Sequence, residues 1–487
     1  MTIRLSVLLQ DILTIPAEID RDIAGISLDS RLVKSGYLFI ASQGHTLDGR
    51  QYITQAFANG ACAVIQDAES TQDDNPIPVI AIPQLQGKLT QIAAKFFHYP
   101  AKSLRIIGVT GTNGKTSCSH FIASVLQKLH IPCGIIGTIG IGFHNQLQPA
   151  LLTTPDVVSL QNYFREFVNK GAKAIAMEVS SHGIAQGRVK DIDFDIGIFT
   201  NLTRDHLDYH GSMEAYAAVK QSFLTNPATH RVVINADDAL GMHCIELLAG
   251  EKPVFAYSLK KPVAPTVPYL YTDGIVFNDG GIQAIVYSPW GMGKLTLPLI
   301  GEFNLSNALA VLAALCMCDI PFATALEQLS TLQSVAGRMQ LLGGGLKPTV
   351  VVDYSHTPDA LEKVLATLRA HCQGRLFCLF GCGGDRDRGK RPQMARVAEQ
   401  WADRIVVTND NPRHEKPEDI LADILPGFNC PERVQVQLDR SKAIQDIIES
   451  AASGDWVLIA GKGAELYQQV GDVKTHFSDA EQVARWL

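Results

Sequence analysis

Ten consecutive residues, Gly108-Val109-Thr110-Gly111-Thr112-Asn113-Gly114-Lys115-Thr116-Ser117, join the end of an apolar strand to a glycine-rich loop and a helix that starts at Lys115. Few folds accommodate that order. Glycines let backbone N–H groups converge on phosphate oxygens, and the helix N-terminus adds a favourable dipole. Lys115 is placed to reach the β and γ phosphates of a nucleoside triphosphate, and the Thr116 hydroxyl to hold Mg²⁺. The strict P-loop pattern asks for glycine at 109, which is valine here, so the spacing is a variant. A glycine-rich turn with a surface lysine is the plainer alternative. Strand, glycines, Lys-Thr and helix in this order speak against it.

The rest of the chain alternates in the same manner. Apolar runs at 37–41, 61–65 and 79–82 and a helical pattern at 85–97 read as an α/β unit, closed by the turn His98-Tyr99-Pro100. A second unit opens with the strand at 105–110 and carries strands at 173–177, 194–199 and 231–235. After Pro262 glycine, proline and β-formers suggest an antiparallel excursion, and helices follow from Asn304 to about Leu332. Beyond Gly337, with Gly343-Gly344-Gly345 as a break, strands at 349–352, 375–380, 404–408 and 456–460 alternate with helices, the mark of a mostly parallel sheet. The chain has 487 residues, and domains run to roughly 100–200 residues each. Three α/β domains are expected, at 1–100, 101–336 and 337–487, the last Rossmann-like. Ligands of such sheets gather at the carboxyl ends of the strands.

Composition narrows the classes. Hydrophobic residues make up 46% and charged residues 19%, which argues against a disordered chain. Lysine and arginine number 42 against 49 acids, a net charge of −7 that does not suit broad binding to nucleic acid or anionic membrane. The N-terminal apolar stretch is broken by Gln10 and Asp11, unlike a secretory signal. The apolar run 308–318 falls short of the about 20 residues that a bilayer needs, and reads as a buried helix. Ten cysteines without CxxC pairs suggest free thiols in a reducing cytoplasm, with Cys316 and Cys318 as core residues. A monomer is expected.

Magnesium needs oxygen ligands beyond one hydroxyl. Glu178 ends a strand, where an acid can face the phosphates, although alone it would read as an ordinary strand-end acid. Asn201-Leu202-Thr203-Arg204-Asp205-His206-Leu207-Asp208 packs polar groups after another strand end. In the helix at 212–224, Lys220 falls on the apolar face with Met213, Tyr216, Ala217, Phe223 and Leu224. A lysine there either snorkels out or is a partly buried amine of lowered pKa. In the second case it can add CO₂ and become an anionic carbamate, which suits a metal site.

The chain resembles the Mur ligases, the ATP-dependent amide-forming enzymes of peptidoglycan synthesis, along essentially its whole length. Besides the glycine-rich loop, the resemblance rests on Leu28-Asp29-Ser30-Arg31, Thr153-Thr154-Pro155, Met177-Glu178-Val179-Ser180-Ser181-His182-Gly183, Asn201 to His206 and Lys220. It continues through Gly301-Glu302-Phe303-Asn304-Leu305-Ser306-Asn307, Gly337-Arg338-Met339, Asp353-Tyr354-Ser355-His356 and Gly383-Gly384-Asp385-Arg386-Asp387, and ends with Asp410-Asn411-Pro412-Arg413 and Gly461-Lys462-Gly463-Ala464-Glu465. Leu152 stands where the family often has asparagine, and Ala464 where it often has histidine.

The resemblance implies a first domain holding the uridine end of UDP-N-acetylmuramoyl-L-alanyl-D-glutamate near Leu28, Ser30, His45, Thr46 and Leu47. Thr153, Thr154, Ser180, Gln186 and Arg188 would contact its muramoyl-dipeptide. ATP would lie on Gly111, Thr112, Asn113, Gly114, Lys115, Thr116 and Ser117, with Asn304 and Asn307 near adenine, Arg338 near phosphate and Asp353 near ribose. Thr116, Glu178, His206 and carbamylated Lys220 would form the Mg²⁺ environment, so that Lys115, Glu178, His206, Lys220 and Arg338 serve catalysis. Arg386, Asp410, Asn411, Pro412, Arg413, Gly461 and Glu465 would bring the acceptor amino acid.

Phosphorylation of the D-glutamate side-chain carboxylate would give an acyl phosphate, which the acceptor amine attacks. Arg413 offers a planar fork for a carboxylate and Glu465 a partner for an ammonium. That pair fits meso-2,6-diaminopimelate, whose distal end carries both groups, and Asp-Asn-Pro-Arg goes with that acceptor in the family. A lysine-adding ligase leaves Arg413 without a reason, and a folylpolyglutamate-forming one leaves the N-terminal region unexplained. A P-loop regulatory module would call for a guanine-reading Asn-Lys-x-Asp, which is absent from the sequence.

Overall fold

Alternation of apolar residues at period two builds the first sheet. Gly25–Ser27, Tyr37–Ala41, Ala61–Gln66 and Val79–Ala81 pair in that order, all parallel. Leu38, Ile40, Ala63 and Ile65 face Leu89, Ile92 and Phe96 of the helix Leu89–Phe96, while Phe39, Ala41 and Val64 face the other way onto Ala56. The helical pattern at 85–97 resolves into a 3₁₀ turn, Leu85–Lys88, and then that helix. This computed structural model describes residues 2–44, 48–69, 76–144, 146–263, 265–278 (278 by its backbone alone) and 281–487.

The second sheet has 11 strands. Its parallel centre runs Cys133–Ile136, Ala174–Glu178, Arg105–Thr110, Ile196–Phe199, Val232–Asn235 and Val254–Ser258. Both faces are covered, which explains the unbroken apolar runs. Ile107 and Val109 pack with Phe121, Ile122 and Val125 of the helix Lys115–Lys128, and Ile106 packs on the opposite face with Phe164 and Phe167 of Val157–Asn169. The excursion after Pro262 is three long strands. Tyr269–Asn278 runs parallel to Val254–Ser258, and Gly281–Ser288 and Gly291–Leu297 fold back antiparallel. The helical stretch beyond 304 is two helices, Glu302–Met317 and Phe322–Leu329, separated where Asp319 takes a left-handed φ of 67° just before Pro321. From Ala308 onward Glu302–Met317 is apolar all round, and Ala308 to Cys316 are buried all round. Cys316 and Cys318 lie in that core.

The third sheet orders Gln340–Gly343, Thr349–Asp353, Trp456–Ala460, Leu376–Phe380, Arg404–Val407 and Gln435–Val436. All of its pairings are parallel except the first. The glycine break at 343–345 is the turn of that antiparallel hairpin, with φ of 76°, 90° and 68°. Among the described residues, no helix is long and apolar enough to cross a membrane.

Chain reversals place the working ends. Arg105–Thr110 lies between Ala174–Glu178 and Ile196–Phe199, so its glycine loop emerges at a switch point, beside the ends of both neighbours. The N-terminal unit docks nearby through its helix Leu89–Phe96, where Thr90 Oγ1 donates to Lys190 O at 2.7 Å. In the third sheet the ends of Arg404–Val407 and Trp456–Ala460 are tied by the fully buried Arg440. It bonds Asn409 O at 3.1 Å, Ala460 O at 2.9 Å and both oxygens of buried Asp479 at 2.7 Å. Removing one partner of such a pair leaves an uncompensated buried charge, a loss of about 3–5 kcal/mol. Asp479→Ala should therefore lower the urea midpoint of the third domain by that equivalent; an unchanged midpoint would show that the pair is dispensable.

Candidate active site

The glycine-rich loop is wired to the strand end beside it. Thr112 N donates to Asn201 O at 2.8 Å, Asn113 N to Asn201 Oδ1 at 2.9 Å, and Thr200 Oγ1 to Asn113 O at 2.6 Å. Gly111 and Gly114 take φ of 146° and 87°. A Cβ on Gly111 would overlap Thr200 Oγ1, and one on Gly114 would overlap Asn307 Oδ1. Only glycine fits there, and Asn307, buried on the helix Glu302–Met317, is the wall behind the loop. Lys115 folds over the loop, donating to Gly111 O at 2.9 Å and Thr112 O at 2.8 Å. Burial lowers its pKa, opposed by the negative charges of Glu178 and Asp205.

Thr116 is where three parts of the chain meet. Its hydroxyl donates to Glu178 Oε1 at 3.0 Å and accepts from Arg338 Nη2 at 3.2 Å. Arg338 arrives from the start of the third domain, its guanidinium stacked 4.1 Å above the Tyr354 ring. Asp353 holds this segment, its oxygens accepting Met339 N at 2.7 Å and Ser355 N at 2.8 Å. Glu178 is 1% exposed, and its remaining partners are Thr138 N at 2.8 Å and Thr138 Oγ1 at 3.1 Å. Thr138 was not picked out from the sequence. Its only signal was a Gly-Thr pair directly after an apolar strand.

The hydroxyl and carboxylate at Thr116 and Glu178 suit a hard cation that keeps several ligands from phosphate and water, as Mg²⁺ does. Among the described residues no group of three or more His, Cys, Asp or Glu side chains forms a metal site. His206 sits in an aromatic cluster, its ring 4.8 Å from that of His182 and 6.2 Å from that of Tyr216, with Nε2 3.4 Å from Asp205 Oδ2. Burial pushes its pKa down to about 3. Lys220 lies on the buried face of the helix Met213–Thr225, 1% exposed, with its amine 4.5 Å over the Tyr216 ring. Burial holds its pKa well below the usual lysine range, and Lys115 adds repulsion.

Thr153, Thr154, Ser180, Gln186 and Arg188 surround the same strand end. Thr154 Oγ1 donates to Glu178 O at 2.8 Å, Thr153 Oγ1 is 3.0 Å from Thr138 Oγ1, and Arg188 donates to Thr154 O at 2.7 Å and to Gln186. Ser180 Oγ caps the short helix Ser181–Ala185. Asn304, also buried, is turned to Ile300 O at 2.8 Å. Leu28 and Ser30 follow the strand Gly25–Ser27, Ser30 opening the 3₁₀ turn Ser30–Leu32, where Ser30 Oγ donates to Gln55 at 2.7 Å. His45, Thr46 and Leu47 lie outside the described residues.

The acceptor candidates collect at the crest of the third sheet. Arg413, at φ 52°, donates to Gly384 O at 2.7 Å, which leaves donors of its guanidinium for a ligand. Arg386 is exposed and lines a cleft of about 680 Å³ together with Glu415 and, from the central domain, Asp208. Glu465 is already engaged, its Oε2 accepting Lys462 Nζ at 3.0 Å and Asn411 Nδ2 at 2.8 Å. Lys462 is fully buried, also bonds Asn411 Oδ1 at 3.0 Å, and lies 3.9 Å from Asp410. Lys462 belongs to the motif Gly461 to Glu465, and nothing in its spacing assigns it a task. Gly461 takes φ 115°, and a Cβ there would meet Asp410 Oδ2 at 2.6 Å. Further contacts bridge the two domains: Asn113 Nδ2 to Asp359 Oδ2 at 3.2 Å, Arg204 to Asp387 at 3.4 Å, and His356 to Asp205 at 3.6 Å.

A phosphate-binding loop that shares one hydroxyl with a buried acid and an arginine from a neighbouring domain defines a three-domain α/β nucleotide-dependent enzyme. Three family models cover most of the chain: "Mur ligase family, catalytic domain" over 22–96, "Mur ligase middle domain" over 109–315 and "Mur ligase, glutamate ligase domain" over 337–463. The UDP-N-acetylmuramoyl-L-alanyl-D-glutamate–2,6-diaminopimelate ligase of Coxiella burnetii is 49% identical over 467 residues, 96% of this chain and 96% of that protein. The protein of that name from Pseudomonas aeruginosa is 49% identical over 476 residues, 97% of this chain and 96% of the relative. A solved structure of a ligase of the same name superposes with a TM-score of 0.70 at 35% identity, covering 100% of this chain and 99% of that one. MurF from Acinetobacter baumannii, at 18% identity and TM-score 0.67 over 94% of this chain and 96% of its own, shares the fold. The chain belongs to the Mur ligase family.

Gly114→Ala should weaken ATP binding by about tenfold, since left-handed strain of about 1–2 kcal/mol and the overlap with Asn307 both displace the loop. Calorimetric titration checks this, and unchanged affinity would place the nucleotide elsewhere.

Proposed function

We propose that this chain is an ATP-dependent ligase that joins meso-2,6-diaminopimelate to UDP-N-acetylmuramoyl-L-alanyl-D-glutamate in the making of peptidoglycan precursors. The observation that carries this reading is the 49% identity, over 96% of both chains, to a relative that bears that name. The geometry supplies a chemical rationale.

A carboxylate does not condense with an amine in water unaided. The D-glutamate side-chain oxygen attacks the γ-phosphorus of ATP, the bond to the β-γ bridging oxygen breaks, and ADP leaves with the electron pair. Gly111, Thr112, Asn113, Gly114 and Ser117 present the loop and first helical turn to the phosphates. Lys115 exchanges its two carbonyl partners for phosphate oxygens, and Arg338 meets the transferring group from the facing domain. Asn304 and Asn307 back the nucleotide, and Asp353 holds Arg338 in place with lone pairs left for ribose hydroxyls. Mg²⁺ held by Thr116 and Glu178, with His206 and a carbamate on Lys220 beyond them, would neutralise phosphate charge.

Leu28, Ser30, His45, Thr46 and Leu47 take the uridine end, and Thr153, Thr154, Ser180, Gln186 and Arg188 the muramoyl-dipeptide. The acceptor amine then attacks the acyl carbon, loses a proton, and the tetrahedral intermediate expels phosphate. Arg386 and Arg413 hold acceptor carboxylates. Asp410, Asn411, Pro412, Gly461 and Glu465 form the floor for its ammonium, with Lys462 fixing one oxygen of Glu465 so that the other faces the ligand. The reading puts the reaction in the cytoplasm, where ATP and reduced thiols are both found; all ten cysteines are free.

Phosphate release in the presence of the muramoyl-dipeptide nucleotide should be fast with meso-diaminopimelate and slow with L-lysine or no acceptor. Arg413→Ala should raise the KM for diaminopimelate tenfold or more, the worth of a charge-assisted hydrogen bond at about 1.5–3 kcal/mol. Equal rates with lysine, or an unchanged KM, would overturn the acceptor assignment. For Lys220, intact-mass spectra should carry the added mass of one CO₂, and Lys220→Ala should lower turnover by about 10–100-fold. Full turnover in that variant would rule out the carbamate.

A further inference from the structure

Arg386 and Arg413 sit on different loops. Arg386 lies on the loop between the strand Leu376–Phe380 and the helix Arg391–Trp401, and Arg413 on the loop between Arg404–Val407 and the helix Pro417–Ile424. Neither loop is held by sheet pairing to the other, yet two arginines can select a ligand by its carboxylates only if their separation is fixed. A buried cation joins the loops. Arg391, the first residue of its helix and fully buried, donates through Nη1 to Glu415 Oε2 at 2.9 Å and Asp423 Oδ2 at 2.7 Å. Its Nη2 donates to Glu415 Oε1 at 2.8 Å and Gly383 O at 3.1 Å. Glu415 Oε1 in turn accepts the backbone N–H of Asp385 at 2.5 Å. One arginine thus grips the carbonyl of the first loop and, through Glu415, an amide of that same loop, while Glu415 itself belongs to the second.

Two direct ties complete the zip. Gly384 N donates to Asn411 O at 2.9 Å, and Arg413 Nη1 donates to Gly384 O at 2.7 Å. The loops are so close that a Cβ on Gly384 would overlap Pro412 O. Glu415 is the nearest charged residue to Arg413 along its own loop after His414, and it lines the same cleft as Arg386.

We propose that Arg391 and Glu415 are the positioning pair of the acceptor site, setting the distance between Arg386 and Arg413 and so the preference for an amino acid with two carboxylates. This rests on the acceptor reading given above. Neither residue need touch the ligand. A fully buried guanidinium with a fork geometry cannot shift without breaking charge-assisted bonds on both loops at once, so the pair acts as a rigid spacer. A lysine in its place would keep the charge and lose the fork. Glutamine at 415 would keep the shape and lose the charge.

The test measures KM and kcat for meso-diaminopimelate, ATP and the nucleotide sugar, and the meso-diaminopimelate to L-lysine ratio of kcat/KM, in wild type, Glu415→Gln and Arg391→Lys. The expected result is a KM for diaminopimelate raised about tenfold or more, a reduced selectivity ratio, and KM values for ATP and the nucleotide sugar within about twofold of wild type. Denaturant midpoints report folding separately, and Glu415→Gln carries the test alone if Arg391→Lys does not fold. An unchanged diaminopimelate KM and selectivity, or an equal loss for every substrate that tracks a lowered midpoint, would overturn the proposal, since a merely structural pair does only that. A wild-type enzyme that does not turn over diaminopimelate at all would instead sink the acceptor reading beneath it.

Discussion

One hydroxyl, Thr116 Oγ1, links the central domain to the third. It donates to Glu178 on one side and accepts from Arg338 on the other, at 3.0 and 3.2 Å. The acid is buried, with the hydroxyl and backbone amide of Thr138 as its other partners. The guanidinium comes from beyond a chain crossing where only glycine fits, because a Cβ on Gly337 would overlap the backbone of Gly463 and Ala464. The placement of the phosphate loop, the approach of the third domain and the packing of its Gly461–Glu465 turn therefore depend on one another. In a site shielded from water such fixed donors are worth far more than they would be in solvent.

On the proposed reading, acceptor choice is a separate problem, solved at the crest of a different sheet. There the charges are arranged in tiers. Arg440 and Asp479 are buried and hold strand ends; Lys462 and Arg391 are buried and hold loops; Arg413 and Glu465 are half-buried, and Arg386 is exposed and lines the cleft. Buried ion pairs of this sort add little net stability, but they fix geometry. MurF shares the fold at 18% identity. Fold likeness at that distance says nothing of the acceptor.

Local signals were strong in the sequence wherever a residue's task depends on its neighbours along the chain. The glycine loop, the runs at 37–41 and 456–460 and the apolar face that buries Lys220 all lie where the pattern put them, because periods of two and 3.6 residues follow from backbone geometry alone. Tasks shared between distant segments left no such trace. Thr138 meets Glu178 across 40 residues, and Arg391 meets Glu415 across 24, with no spacing rule to join them. The strand Gln340–Gly343 was hidden for a further reason: it is short, its side chains are half exposed, and the glycines that follow read as a break rather than as a hairpin turn. The helices expected from Asn304 to about Leu332 are present as two, with only their dividing point at Asp319 left unmarked by the apolar composition on either side.

The central claim is that Thr116 and Arg338 act as one unit on the phosphate that is transferred. A double-mutant cycle with Thr116→Val and Arg338→Lys, read from the single-turnover rate of ADP formation, measures that coupling. Strong non-additivity, about 1 kcal/mol or more, is the predicted result, while losses that simply add would mean that the two groups act apart.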